Sequence, residues 1–154
     1  MKKTTRLQQM IHGDTCFVLP GGGCALHGRI AEAVGFQAMY MSGMNVNATI
    51  FGTPDAGVLT MNEMAENAGR MARAIHIPLV ADGDTGFGNA VNVHRTVQEY
   101  IREGVAGIQL EDQTAPKRCG FVKGKELISV EEAAGKIRAA VDAKNEMDPD
   151  FVVI

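Results

Sequence analysis

The sequence has no tryptophan, only two tyrosines, and three cysteines that form no Cys-x-x-Cys pair. An odd cysteine count without such a pair argues against a disulfide framework or a structural zinc site, so each cysteine is judged alone. Runs of one charge are missing too: no Lys/Arg run exceeds two residues and the formal net charge is −3. That excludes the electrostatic footprint of a nucleic-acid or anionic-lipid binder. No stretch approaches the roughly 18 consecutive apolar residues of a membrane span, and the amino-terminal MKKTTRLQQM lacks an apolar signal-peptide core behind its lysines. A small-molecule ligand and a cytoplasmic location are therefore the expectation, with neither nucleic acid nor membrane as partner.

What is present is the composition of one ordinary globular domain, 45% hydrophobic and 21% charged over 154 residues. Short apolar runs alternate with segments of helical periodicity, the pattern of βαβ units around a parallel sheet. Five runs read as strands: Cys16–Pro20, Ala38–Ser42, Leu79–Asp82, Gly107–Glu111 and Phe151–Ile154. Thr60 with Glu63 and Ser129 with Glu132 fit the S/T-x-x-E capping box. Behind them Met61, Met64, Ala68, Met71 and Ile75, and then Ala133, Ile137, Ala140 and Val141, recur at three- and four-residue steps and should each cover one sheet face. Asn89 caps a third helix that Gly104 ends, and a leading helix runs from about Thr5 to Ile11. Gly43–Gly57 reads as a long loop, where function usually sits.

A β-α succession fits either an open doubly wound sheet or a barrel. Gly21-Gly22-Gly23 follows the first strand but does not continue as GxGxxG, so the sheet's phosphate fingerprint is absent. In a barrel, polar residues at strand carboxyl ends build one site, and Ser42, Asp82 and Glu111 fall there. The strongest constellation is Asp82-Gly83-Asp84-Thr85-Gly86-Phe87-Gly88, whose two carboxylates leave an apolar strand two residues apart and suit one hard cation, Mg²⁺ or Mn²⁺. The bland alternative is an Asp-rich turn capping its own backbone. Glu111-Asp112 closes the next strand. Lys117-Arg118-Cys119-Gly120 follows, a cysteine flanked by cations, which is the setting of reactive thiols; Cys119 is therefore the candidate acid/base group. For Cys16 and Cys24 the packed reading is favoured. Tyr40-Met41-Ser42-Gly43 offers hydroxyls and backbone N–H groups to a substrate carboxylate. The four histidines are scattered and receive no role.

In their order and spacing, Tyr40–Gly43, Pro54-Asp55, Asp82–Gly88, Glu111-Asp112-Gln113 and Lys117–Gly120 resemble the isocitrate lyase / phosphoenolpyruvate mutase superfamily over essentially the whole chain. The resemblance implies a (β/α)₈ TIM-type barrel, of which residues 1–154 form the amino-terminal half with about the first five strands. It implies that Asp82 and Asp84 hold Mg²⁺ (or Mn²⁺), supported by Asp55 and Glu111, and that Ser42, Gly43, Met44 and Gly120 bind substrate. Tyr40 matches a tyrosine proposed to help remove the substrate hydroxyl proton. Cys119 matches the cysteine of the carbon–carbon lyases, methylisocitrate lyase and dimethylmalate lyase among them, where it protonates the carbanion-like product. The implied reaction cleaves a small 2-hydroxy di- or tricarboxylate to a 2-oxo acid in a homo-oligomer, by resemblance a tetramer. An oxaloacetate decarboxylase, a phosphonomutase or a noncatalytic truncated fragment are the alternatives. Phe121 stands where the lyases usually carry histidine, Cys24 where relatives have Asp or Asn, and Met44 where glycine is frequent. The family enters strand five near Ile154 and draws an arginine and a glutamate of the site from beyond it, so the 154-residue chain alone is expected to be inactive.

Overall fold

The computed structural model describes residues 1–154. Helix α1 (Lys3–Ile11) leads into β1 (Gly21–Gly22), α2 (Ala25–Ala33), β2 (Met39–Met41), α3 (Gly43–Val46) with a π-helical turn (Asn47–Phe51), and α4 (Met61–Ala74). Then follow β3 (Leu79–Asp82), α5 (Ala90–Arg102), β4 (Gly107–Gln109), α6 (Val130–Met147) and β5 (Val152–Val153). Every strand pair is parallel, and spatial order follows chain order from β1 to β5. A doubly wound sheet reverses its winding at a switch point; this one does not, and so forms part of a barrel wall.

The caps act as their residue types dictate. Thr60 accepts the Glu63 N–H while Glu63 reaches back to the Thr60 N–H, and Asn89 and Asn92 do the same for α5. Ser129 accepts the Glu132 N–H, and Gly104 ends α5 with φ +82°. Met64, Ala68 and Met71 of α4 and Val93, Val97 and Tyr100 of α5 then bury against Met39, Met41, Leu79 and Ile108 of the sheet. No helix is long and apolar enough to cross a membrane.

Three expectations are corrected. The first strand is Gly21–Gly22, not Cys16–Pro20. Tyr40 donates its N–H to Pro20 O and Ser42 to Gly22 O, and a Cβ on Gly22 would lie 2.5 Å from the Met39 methyl and 2.7 Å from His27 Cβ. The wall is thus made where the backbone comes closest, and the apolar run before it is irregular. Its Phe17 and Leu19 pack with Leu7, Val80, Ala106 and Val152 as the floor of the barrel interior, while Cys16 is exposed rather than packed and Cys24 half-buried. Second, Gly43–Gly57 is largely helical, through α3 and the π turn. Third, α6 buries Lys136, Ala140 and Ala143, leaving Ile137 41% exposed. Its small residues lean on α5, and Ile137 lines an open groove with Leu110, Ile128 and Ala133.

The sheet's free edges are β1 and β5. Beside β1, Leu26 and Ile30 of α2 and Val34 at its carboxyl cap recur every fourth residue and are all exposed, next to a groove of about 300 Å³ lined by Pro20, His27, Phe36 and Met39. A larger cavity of about 490 Å³ lies at the amino ends of the strands between α1, α4 and α5. There the Lys3 ammonium closes the end of α4 by donating to Ala72 O and Ile75 O, so this space belongs to the floor.

Candidate active site at the strand carboxyl ends

Side chains alternate along a strand, and the burial clusters show the sorting. Met39, Met41, Leu79, Ala81 and Ile108 lie under the helices, whereas Tyr40 and Val80 face the concave side. Tyr40 is in register with Val80 and Asp82 with Gln109, so Ser42, Asp82 and Glu111, each two residues further along, continue the concave face at its carboxyl rim.

Asp82 is held on both oxygens. Its Oδ2 accepts the Gly43 N–H and its Oδ1 the Asp84 N–H, each at 2.9 Å. The second bond is the self-capping turn of the bland reading, and it holds Asp84 in a left-handed conformation, φ +44°, which Asp tolerates better than most residues. Strand alternation therefore does not align the two carboxylates; the turn does. They converge nonetheless: a Cβ built on Gly43 would meet Asp82 Oδ2 at 2.9 Å and Asp84 Oδ1 at 3.6 Å. The space over Gly43 is a cradle between two carboxylates that only glycine leaves open. The Gly43 N–H is occupied by Asp82, which corrects the expectation that it is free for substrate. Ser42 caps α3 by accepting the Asn45 N–H at 3.4 Å, and Met44 and Gly120 are exposed.

Into this cluster comes a residue the sequence showed only as a neighbour of the thiol. The Lys117 side chain is 3% exposed, its ammonium 2.7 Å from Asp55 Oδ1, 3.1 Å from Asp84 Oδ1 and 3.8 Å from Glu111 Oε1. Lys117 thus points into the carboxylates. Burial alone lowers an ammonium's pKa, but Asp55, Asp84 and Asp82 outweigh it and the net direction is upward. Burial, reinforced by Asp82 and opposed by Lys117, lifts the Asp84 carboxyl to about 6. Burial raises Glu111 as well, against Lys117. Burial and the charges of Asp82, Glu111 and Asp84 hold the Tyr40 phenol well above its ordinary range.

Three buried donors hold the Asp-Gly-Asp loop from behind. The Tyr100 hydroxyl donates to Asp82 O (2.9 Å), the Lys136 ammonium to Thr85 O (3.1 Å) and Thr96 Oγ1 to Gly86 O (3.2 Å). None of these was singled out from the sequence for the site. A pairing 51 residues apart, such as Lys136 with Thr85, leaves no local signal.

The site suits a divalent cation. Asp55 Oδ1 and Asp84 Oδ1 are buried without an aligned hydrogen-bond donor, and four carboxylates face one ammonium. No three His, Cys or carboxylate side chains form a closed metal cage. Mg²⁺ does not ask for one, since it takes one or two carboxylates and keeps several waters.

A family model described as phosphoenolpyruvate phosphomutase matches residues 7–154. The 2,3-dimethylmalate lyase of Eubacterium barkeri is 45% identical over 154 residues, which is 100% of this chain and 53% of that protein. The 2-methylisocitrate lyase of Shewanella oneidensis is 40% identical over 149 residues, 97% of this chain and 50% of that protein. Among solved structures, oxaloacetate acetylhydrolase in complex with 3,3-difluorooxalacetate superposes with a TM-score of 0.95 at 39% identity, over 99% of this chain and 52% of that one. Phosphonopyruvate hydrolase in complex with oxalate and Mg²⁺ gives 0.89 at 38% identity, over 99% and 51%. The chain spans about half the length of the curated relatives it matches.

Proposed function

Since the chain belongs to the PEP mutase/isocitrate lyase superfamily, we propose that the complete protein is a Mg²⁺-dependent carbon–carbon lyase. It acts on a small 2-hydroxy di- or tricarboxylate of the dimethylmalate or methylisocitrate kind. The observation that carries this reading is the insertion of Lys117 among Asp55, Asp84 and Glu111, because it fastens the Cys119 loop to the carboxylate rim.

Asp82 and Asp84, flanking the cradle over Gly43, would hold the cation, with Asp55 and Glu111 supporting it. When bound, Mg²⁺ supplies Lewis acidity to a chelated hydroxyl and carboxylate. The chain's own groups do the rest. Tyr40 donates a hydrogen bond to a substrate oxygen on the concave face. Ser42 and Met44, at the start of α3, together with Gly120 border the substrate. Cys119 gives its proton to the carbon that departs, as general acid. Phe121, 92% exposed beside it, presents an apolar ring, which favours an alkyl-substituted substrate over a third carboxylate. Barrel closure and any oligomer interface are assigned to the complete protein, and the 154 residues alone are expected to show no turnover.

The test is turnover of 2,3-dimethylmalate, 2-methylisocitrate and oxaloacetate by the complete protein, with Mg²⁺ and with EDTA, beside Cys119→Ser. Cleavage of a 2-hydroxy acid that EDTA abolishes and Cys119→Ser reduces by at least about 100-fold supports the lyase. Full activity of Cys119→Ser on oxaloacetate would refute it in favour of a decarboxylase or hydrolase.

A further inference from the structure

We propose that Gln113 is a positioning residue that locks the Cys119 loop onto the carboxylate cluster; this rests on the reading of Cys119 as proton donor. The loop leaves and returns through a narrow neck, where Thr114 N–H donates to Glu126 O at 2.8 Å and Ile128 N–H to Asp112 O at 3.0 Å. Gln113 bridges to Leu127 across that neck and is buried. Its side-chain amide grips the backbone of Arg118 on both polar atoms: Oε1 accepts the Arg118 N–H at 3.1 Å and Nε2 donates to Arg118 O at 2.9 Å. The other Nε2 proton goes to Glu111 Oε2 at 2.7 Å. The second oxygen of Glu111 lies 3.8 Å from the Lys117 ammonium, so a ring of contacts closes through Glu111, Gln113, the Arg118 backbone and Lys117.

Only a primary amide meets these demands, since it accepts once and donates twice within one plane. A carboxylate here would set a further negative charge against Glu111, and an aliphatic side chain would fill the space without any of the bonds. Arg118 sits between Lys117 and Cys119, so a fixed Arg118 backbone fixes both the ammonium that enters the cluster and the thiol one residue on. Gln113 itself faces the neck of the loop, and its three contacts are with Glu111 and the Arg118 backbone, not with the cradle over Gly43. Its loss should therefore lower kcat and leave KM nearly unchanged.

The experiment uses the complete protein with Gln113→Leu, Gln113→Glu and, in parallel, Cys119→Ser, followed by amide hydrogen exchange and steady-state kinetics. Losing three hydrogen bonds, at roughly fivefold apiece, should speed exchange of the Arg118 amide about 100-fold in Gln113→Leu. The amides of Val93 and Val97 in α5 should keep their protection. kcat should fall at least about tenfold, with KM for the substrate within about twofold. Gln113→Glu keeps the acceptor for the Arg118 N–H and should fall between Gln113→Leu and the parent protein; it decides the question if the Leu variant unfolds and α5 loses its protection. Unchanged Arg118 exchange in both variants overturns the proposal. Normal kcat in Gln113→Leu with Cys119→Ser inactive overturns it while sparing the lyase. Normal kcat in both Gln113→Leu and Cys119→Ser sinks the lyase reading, and the proposal with it.

Discussion

Replacing Asp84 by asparagine should stabilise the metal-free protein and abolish its response to Mg²⁺. The Asp84 side chain is 6% exposed, and burial, with Asp82 added and Lys117 opposing, lifts its carboxyl from 3.8 to about 6. Two pKa units are about 3 kcal/mol, here acting against the ionised folded state. A folded-state pKa above the unfolded value means that the carboxylate destabilises at neutral pH. The penalty is absent below about 4, where the group is protonated in both states, grows as pH rises towards 6 and is complete above it. Asparagine removes that charge and leaves Lys117 its contact with Asp55 at 2.7 Å. In EDTA at pH 7.5, Asp84→Asn should therefore gain up to about 3 kcal/mol, a rise in Tm on the order of 10 °C. The gain should shrink steadily from pH 6 to pH 4. Saturating Mg²⁺ reverses the order, because a ligand at 100 times its Kd adds about 2.7 kcal/mol to the parent protein and little to the variant. Urea unfolding of both proteins across pH 4–8, in EDTA and in Mg²⁺, reads all of this. A variant less stable than its parent in EDTA at pH 7.5, or one that Mg²⁺ stabilises equally, would refute the electrostatic account of the cluster.

Gly43→Ala puts a methyl 2.9 Å from Asp82 Oδ2; Mg²⁺ affinity should drop at least about tenfold by calorimetric titration, as expected when a metal-site carboxylate is displaced. Tyr100→Phe leaves Asp82 O without its buried donor and should cost about 1–2 kcal/mol in urea unfolding. Thr60→Ala removes the hydroxyl that accepts the Glu63 N–H, while the backbone half of the α4 capping box survives; it should cost about 1 kcal/mol with kcat unchanged, since the cap lies outside the carboxylate cluster.

Strand runs with apolar cores and helices with polar caps were legible because their signals are local. Leu79–Asp82 was read to the residue, and the Thr60 and Asn89 caps formed as their side chains require. The first strand was misplaced because an apolar run carries no record of backbone proximity: at Gly22 it is the absence of a side chain that admits Met39 and His27. Asp82, Asp84 and Glu111 were legible as acidic groups at one rim, and Asp55 joined them only through the resemblance. What gathers them is Lys117, together with buried donors from α5 and α6. The orientation of a long flexible side chain is decided by charges far away in sequence, so the same lysine looked like a companion of Cys119. Gln113 stayed hidden for a similar reason, since its partners are backbone atoms that any residue at position 118 would supply.

The contacts of α1 bear on how the polypeptide is made. Thr4 Oγ1 donates to Asp148 and Thr5 Oγ1 to Asp150, and Leu7 packs against Val152. During synthesis α1 therefore waits for a docking place encoded some 145 residues later. At about 5–20 residues per second, the nascent chain carries Leu7 unsheltered for on the order of ten seconds, long enough for a chaperone to engage it first.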